Sequence, residues 1–179
     1  MEVINGGKMK TEKVLCRVFH LLGLGKPDMG EFKDRIKYQK IVYLLQAYGL
    51  SVGYGFGWYL KSPYSSELAH TLYSIYTSNR TYENVEKLKF REHDKVIKKI
   101  MEFKEILGDK IDDDLYIDIL SSILFIDYAT YGGNGIFEAL KSMLLEIKNH
   151  LEDYARFNDV FERAYKDLDH YKEFENKIH

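Results

Sequence analysis

Cysteine, proline and long apolar runs are all scarce in this chain of 179 residues. The single cysteine, Cys16, excludes an internal disulfide framework and any Cys-rich zinc module, and it suits a reducing compartment. With only two prolines, 45% hydrophobic and 30% charged residues, the chain is neither disordered nor of low complexity. No apolar run reaches the roughly 18–20 residues of a membrane span. The start, MEVINGGKMKTEK, lacks the apolar stretch of a signal peptide. A cytoplasmic protein with no membrane partner is therefore expected. Neither sign of charge dominates, with 26 Lys/Arg against 28 Asp/Glu and a formal net charge of −2. The halves differ more. Residues 1–100 carry 17 basic and 10 acidic side chains, and residues 101–179 carry 9 and 18. Such a split suits either a basic face for an anionic partner or two halves that attract each other.

Catalytic signatures are missing as well. Gly25-Lys26-Pro27 is no phosphate loop, because His20 stands where the first glycine is needed and Pro27 where Ser or Thr is needed. Gly53, Gly55 and Gly57 have the wrong spacing for a dinucleotide fingerprint. The six histidines are scattered and none forms HExxH. Cys16 lies beside an apolar helical stripe, where a buried thiol is the common finding. Ser66 and His70 are four apart on a helix, but no residue is singled out to orient the imidazole or to build an oxyanion hole. No catalytic residue, metal ligand or cofactor is assigned, and the chain is read as non-enzymatic.

What the sequence does contain is periodicity. Val14, Val18, Leu21 and Leu22 predict a helix over 10–24, ended by Gly23, Gly25 and Pro27. A second helix spans 32–48, apolar on nearly every side in its later half, with Phe32, Ile36, Gln39 and Tyr43 along one stripe. The period then becomes two: Tyr54, Phe56, Trp58 and Leu60 alternate with Gly55, Gly57, Tyr59 and Lys61, a strand with one aromatic face that should largely bury Trp58. A turn at Pro63-Tyr64-Ser65 leads into a helix over 65–78, with Ser65 at its N-cap. A short second strand is placed at Leu88–Phe90. Helices follow over 92–107, 114–131, 135–150 and 152–175, with Gly132-Gly133-Asn134-Gly135 the clearest turn. The fold class is mainly α: one domain over 1–179, a helical bundle with a small antiparallel β element near residues 54–61.

Two carboxylates stand out in the apolar helix 114–131. Asp127 follows Leu120 and Leu124 and should turn inward, while Asp118 lies on the same helix; a buried carboxylate there needs a cationic or hydrogen-bonding partner. Gln39, also inward, needs its amide satisfied, either as a structural anchor or as part of a site. In the C-terminal segment Phe137, Leu140, Leu144, Ile147, Leu151 and Tyr154, then Phe157, Phe161, Ala164, Leu168 and Tyr171, follow heptad-like spacing with one break. That pattern suits a homodimer seam or a helical hairpin closing the chain's own core.

Lys37-x-Gln39-Lys40-Ile41-Val42-Tyr43-Leu44-Leu45, then Phe56 and Trp58-Tyr59, then Pro63-Tyr64-Ser65-x-Glu67-Leu68, resembles the YwgA-like proteins of bacteria and archaea. It is distantly similar to the Panacea (SocA-like) antitoxin and adaptor domains. The stretch Asp118–Phe125, with Ala139-Leu140 and Ile147-Lys148 downstream, extends the resemblance, so a family-like core covers about 32–150 and a helical extension covers 152–175. Ser62 replaces a usual glycine and Asn149 a common proline. The resemblance implies binding of other proteins, without an established enzyme activity. A protein partner is thus expected at Lys37, Gln39, Lys40, Tyr43, Trp58, Tyr59, Pro63, Tyr64, Ser65 and Glu67. The alternative is a winged-helix-like, nucleic-acid-binding regulator using Lys87, Lys89, Arg91, Lys95, Lys98 and Lys99. A sequence pI near 6.3 weighs against it, because phosphate neutralisation needs concentrated positive charge.

Overall fold

A computed structural model describes residues 8–78, 82–90 and 92–177. Among these residues seven α-helices and one two-stranded antiparallel sheet make a mainly α protein. The chain forms two compact units that interleave in sequence. The first takes the chain to Gln39, then Leu50–Tyr54 and Ser65–Gly108. The second takes Lys40–Gly49, Gly55–Tyr64 and the chain from Asp109.

In the first unit, α1 (Lys8–Leu21) buries Leu15, Cys16, Val18 and Phe19. It ends where Gly23 enters the left-handed region at φ +75, and the Leu24 N–H closes back onto the Phe19 carbonyl at 2.8 Å. Lys104 Nζ donates to the Leu21 carbonyl, satisfying a further orphan of that terminus, at 3.1 Å. The first half of α2 (Phe32–Ala47) adds Tyr38, whose ring meets Phe19 edge-on at 4.8 Å. α3 (Ser66–Thr77) starts at Ser65, whose hydroxyl accepts from the Leu68 N–H, and buries Leu68, Leu72 and Ile75. α4 (His93–Leu107) buries Ile100, Phe103 and Leu107 and stops at Gly108. Both α3 and α4 pack on α1.

The second unit holds the rest of α2, a hairpin of β1 (Gly57–Tyr59) and β2 (Ser62–Tyr64), and α5 (Asp114–Tyr131), α6 (Phe137–Ile147) and α7 (Phe157–Asp167). Asp113 caps α5 by accepting from the Tyr116 N–H at 3.2 Å, and Gly132 ends it in a left-handed turn. α5 is buried on nearly every side and packs against α6, α7 and β2. Each fully buried Leu or Ile there contributes about 1.5–3 kcal/mol.

The structure corrects several local expectations. The strand begins at Gly57, three residues later than Tyr54, and its partner is Ser62–Tyr64, where the sequence pattern suggests only a turn. Leu88–Phe90 supplies no strand to the sheet; Lys89 makes an isolated bridge. Trp58 is half-buried, and Leu60, expected on the buried face, is 78% exposed because it lies in the hairpin turn. Phe32, assigned to the inward stripe of α2, is 66% exposed at its first turn. Helix 135–150 stops at Ile147 and gives way to a 3₁₀ segment, Asn149–Asp153; helix 152–175 is α7 followed by 3₁₀ turns from Leu168. Of the heptad-like residues, Leu140, Leu144, Leu151, Phe157, Phe161, Ala164, Leu168 and Tyr171 are buried within the second unit, and Tyr154 is 50% exposed. Among the described residues no helix is long and apolar enough to cross a membrane.

Candidate functional site

Helix α2 contributes polar residues to both units, Lys37 and Gln39 to the first and Lys40 to the second. In the first unit Gln39 is buried and its amide makes a reciprocal pair with one backbone unit. Nε2 donates to the Ser65 carbonyl at 2.9 Å, and the Ser65 N–H donates to Oε1 at 3.0 Å. Gln39 therefore holds the N-cap of α3, and Ser65, itself buried, has its side chain committed to Leu68. Glu67 is exposed in the first turn of α3, where its charge opposes the positive end of the helix dipole. Lys37 is half-buried.

In the second unit Lys40 is not a surface charge: it is 7% exposed and its ammonium binds Asp118 Oδ1. Lys148, 4% exposed, binds the same oxygen at 2.7 Å. Two ammonium groups thus share one carboxylate, and no second carboxylate among the described residues pairs with either. Burial pushes the Asp118 carboxyl upward, but Lys40 and Lys148 outweigh it and hold the group below its ordinary value. At Lys148 burial pushes the ammonium down; Asp118 draws it back, while Lys40 and Lys61 add to the lowering. The periodicity of α2 and α5 identifies neither buried lysine. The row Leu140, Leu144, Lys148 at spacing four, with both leucines buried, is the signal that would have found the second.

The same face of α5 carries Asp118, Ser122 and Phe125 at successive turns. Phe125 meets Tyr43 at 6.1 Å and Trp58 at 5.3 Å, and Tyr43 meets Phe56 at 5.2 Å. Tyr43 and Trp58 thereby join the packing of the hairpin on α5, with Pro63 buried beneath it. Trp58 and Pro63 face each other in register. Since the pair flanking a two-residue loop is hydrogen-bonded, theirs is the non-bonded pair, where proline loses no ladder bond.

The loop, Leu60-Lys61, has φ +46 and +66, the left-handed pair of a type I′ turn that normally selects Asn-Gly. A leucine and a lysine there cost roughly 1–2 kcal/mol each. Tyr59 and Leu60 are 58% and 78% exposed, and Tyr59 leans on half-buried Tyr64 at 5.3 Å between ring centroids. The tip is an apolar knob with an exposed Lys61 beside it.

The basic alternative is diluted by acid. Lys95 lies 3.7 Å from Glu92 and Lys98 3.9 Å from Glu102, with both lysines and Glu92 largely exposed and Glu102 half-buried. Lys87 donates to Asn84, Lys89 and Lys99 are half-buried, and Arg91 lies outside the described residues. His70 Nδ1 approaches the Ser66 carbonyl, not its hydroxyl, at 2.8 Å. The Cys16 thiol is buried and pushed up to about 12, first by desolvation and then by Glu12, so it stays protonated near neutrality. Asp127, fully buried as its spacing predicts, accepts from the Gly135 N–H at 2.6 Å and lies 3.3 Å from Lys172 Nζ. No protein-family model, curated protein or solved structure matches this chain.

Proposed function

We propose that this chain is a non-enzymatic protein-interaction module whose contact surface is the hairpin tip of the second unit. The observation that carries the reading is the strained turn. Leu60 and Lys61 occupy left-handed conformations that other residues adopt at lower cost, and Leu60 is left 78% exposed. Strain maintained at an exposed apolar tip has no use to the fold, whereas a large side chain on a rigid two-residue turn makes an efficient anchor. Tyr59 and Tyr64 extend the apolar contact. Lys61 selects a polypeptide partner whose receiving pocket is edged by carboxylates.

The resemblance to YwgA-like proteins and, distantly, to Panacea domains supports the same class of activity and suggests an antitoxin- or adaptor-like role. Residues shared with that pattern divide by task in this proposal: Gln39 and Ser65 hold the fold, Tyr43, Trp58 and Pro63 seat the hairpin, and Tyr59 and Tyr64 meet the partner. A cytoplasmic site of action accords with the protein-binding role. A homodimer seam would need the apolar rows of α6 and α7, which already face the interior of the second unit.

Leu60→Asn tests the reading. It should raise the melting temperature by relieving strain, while nuclease-resistant recovery of a partner from native lysate falls. Recovery unchanged in Leu60→Asn and in Tyr59→Ser would remove the tip from the interface. Recovery abolished by nuclease would favour the nucleic-acid alternative.

A further inference from the structure

We infer that the Lys40–Asp118–Lys148 cluster of the second unit is a binding site for a single oxyanion, a carboxylate or a phosphate group. Charge comes first. Lys40 and Lys148 both spend their bond on Asp118 Oδ1, so one negative charge serves two ammoniums that are 7% and 4% exposed. Exposed Lys61 adds a third positive charge close enough to act on Lys148. Burying an uncompensated cation is costly, and the protein has two remedies: loss of a proton or recruitment of an anion.

Ser122 argues for the second remedy. It lies one turn after Asp118 on the α5 face that carries Phe125 toward Tyr43 and Trp58, it is fully buried, and its hydroxyl has no hydrogen-bond partner. A buried hydroxyl without a partner is a rare and unfavourable condition. An oxyanion held by Lys148 and Lys40 accepts from Ser122 and cancels the surplus charge in one step. Asp118 keeps 18% of its side chain exposed, which gives the cluster a path to solvent. The site shares only Lys61 with the hairpin contact proposed above, and its measurement is read at Lys40 and Lys148, so failure of one proposal leaves the other standing.

Lysine side-chain Cε–Hε resonances of the folded 179-residue chain, titrated with inorganic phosphate or acetate against chloride at matched ionic strength and pH, read the site directly. Saturable shifts at Lys40 and Lys148, with the Lys148 pKa rising as the site fills, are expected. Phosphate alone would mark a tetrahedral ligand, acetate alone a carboxylate, and both an unselective oxyanion site. Ser122→Ala removes one hydrogen bond to a charged group and should weaken the effective probe about tenfold; Lys148→Met should abolish binding. If Lys148→Met does not fold, Ser122→Ala and the wild-type titration still decide the matter. Chloride-like behaviour of both probes at Lys40 and Lys148 would overturn the inference and leave proton loss as the remedy.

Discussion

Gln39→Leu should cost the protein about 1–3 kcal/mol of folding stability. The substitution keeps the side chain close to its original size, so the loss is polar and not a cavity. The Ser65 N–H, which Gln39 Oε1 satisfies at 3.0 Å in a buried setting, is left without a partner, at about 1–3 kcal/mol. The Ser65 carbonyl loses its 2.9 Å bond from Gln39 Nε2 but keeps the Ala69 N–H at 3.0 Å. The middle of that range, about 2 kcal/mol, corresponds to a fall of roughly 4–8 °C in melting temperature for a chain of this size. Urea and thermal unfolding followed by far-UV circular dichroism would measure it, with the urea slope confirming that the unfolded state is unchanged. Gln39→Glu supplies the control with a sign. Only the protonated acid donates to the Ser65 carbonyl, so its folded pKa is raised above the unfolded value. Relative to wild type, the variant is most stable below the unfolded pKa and loses that stability as pH rises through the folded pKa. A Gln39→Leu protein within about 0.5 kcal/mol of wild type would refute the assignment of this amide as the clamp on α3.

Asp118→Asn leaves two ammoniums buried without a carboxylate and should destabilise by about 3–5 kcal/mol. Asp118 is depressed in the folded state, so its contribution is present above the ordinary carboxylate pKa and is lost as pH falls through the folded one. The difference between variant and wild type in denaturant midpoint should therefore shrink on acidification; a difference independent of pH would contradict the pairing. Gly135→Ala should cost about 1–3 kcal/mol through overpacking, because a Cβ would stand 2.7 Å from Asp127 Oδ1 and 2.8 Å from Leu140 Cδ2. Thermal unfolding reads this change, and an unaltered midpoint would mean that the turn shifts freely.

Most of the helical skeleton is legible in the sequence because it depends on neighbours within a turn or two. Spacing of three and four, Ser65 at an N-cap, Gly108 and Gly132 at helix ends, and the inward turn of Asp127 are local consequences of side-chain size, capping and backbone freedom. The inward Gln39 belongs with them, although its partner does not: Ser65 lies 26 residues away. The hairpin was half legible. Alternation marks β1, but Pro63 and the exposed Leu60-Lys61 conceal β2, whose pairing is stabilised by packing on α5 and not by turn propensity. The charge cluster was the least visible. Lys40 and Lys148 read as ordinary helical lysines, and they meet Asp118 across 78 and 30 residues. Periodicity can assign a residue to a face, but only the tertiary structure determines which face of another element it meets, and whether two buried cations there share a single carboxylate.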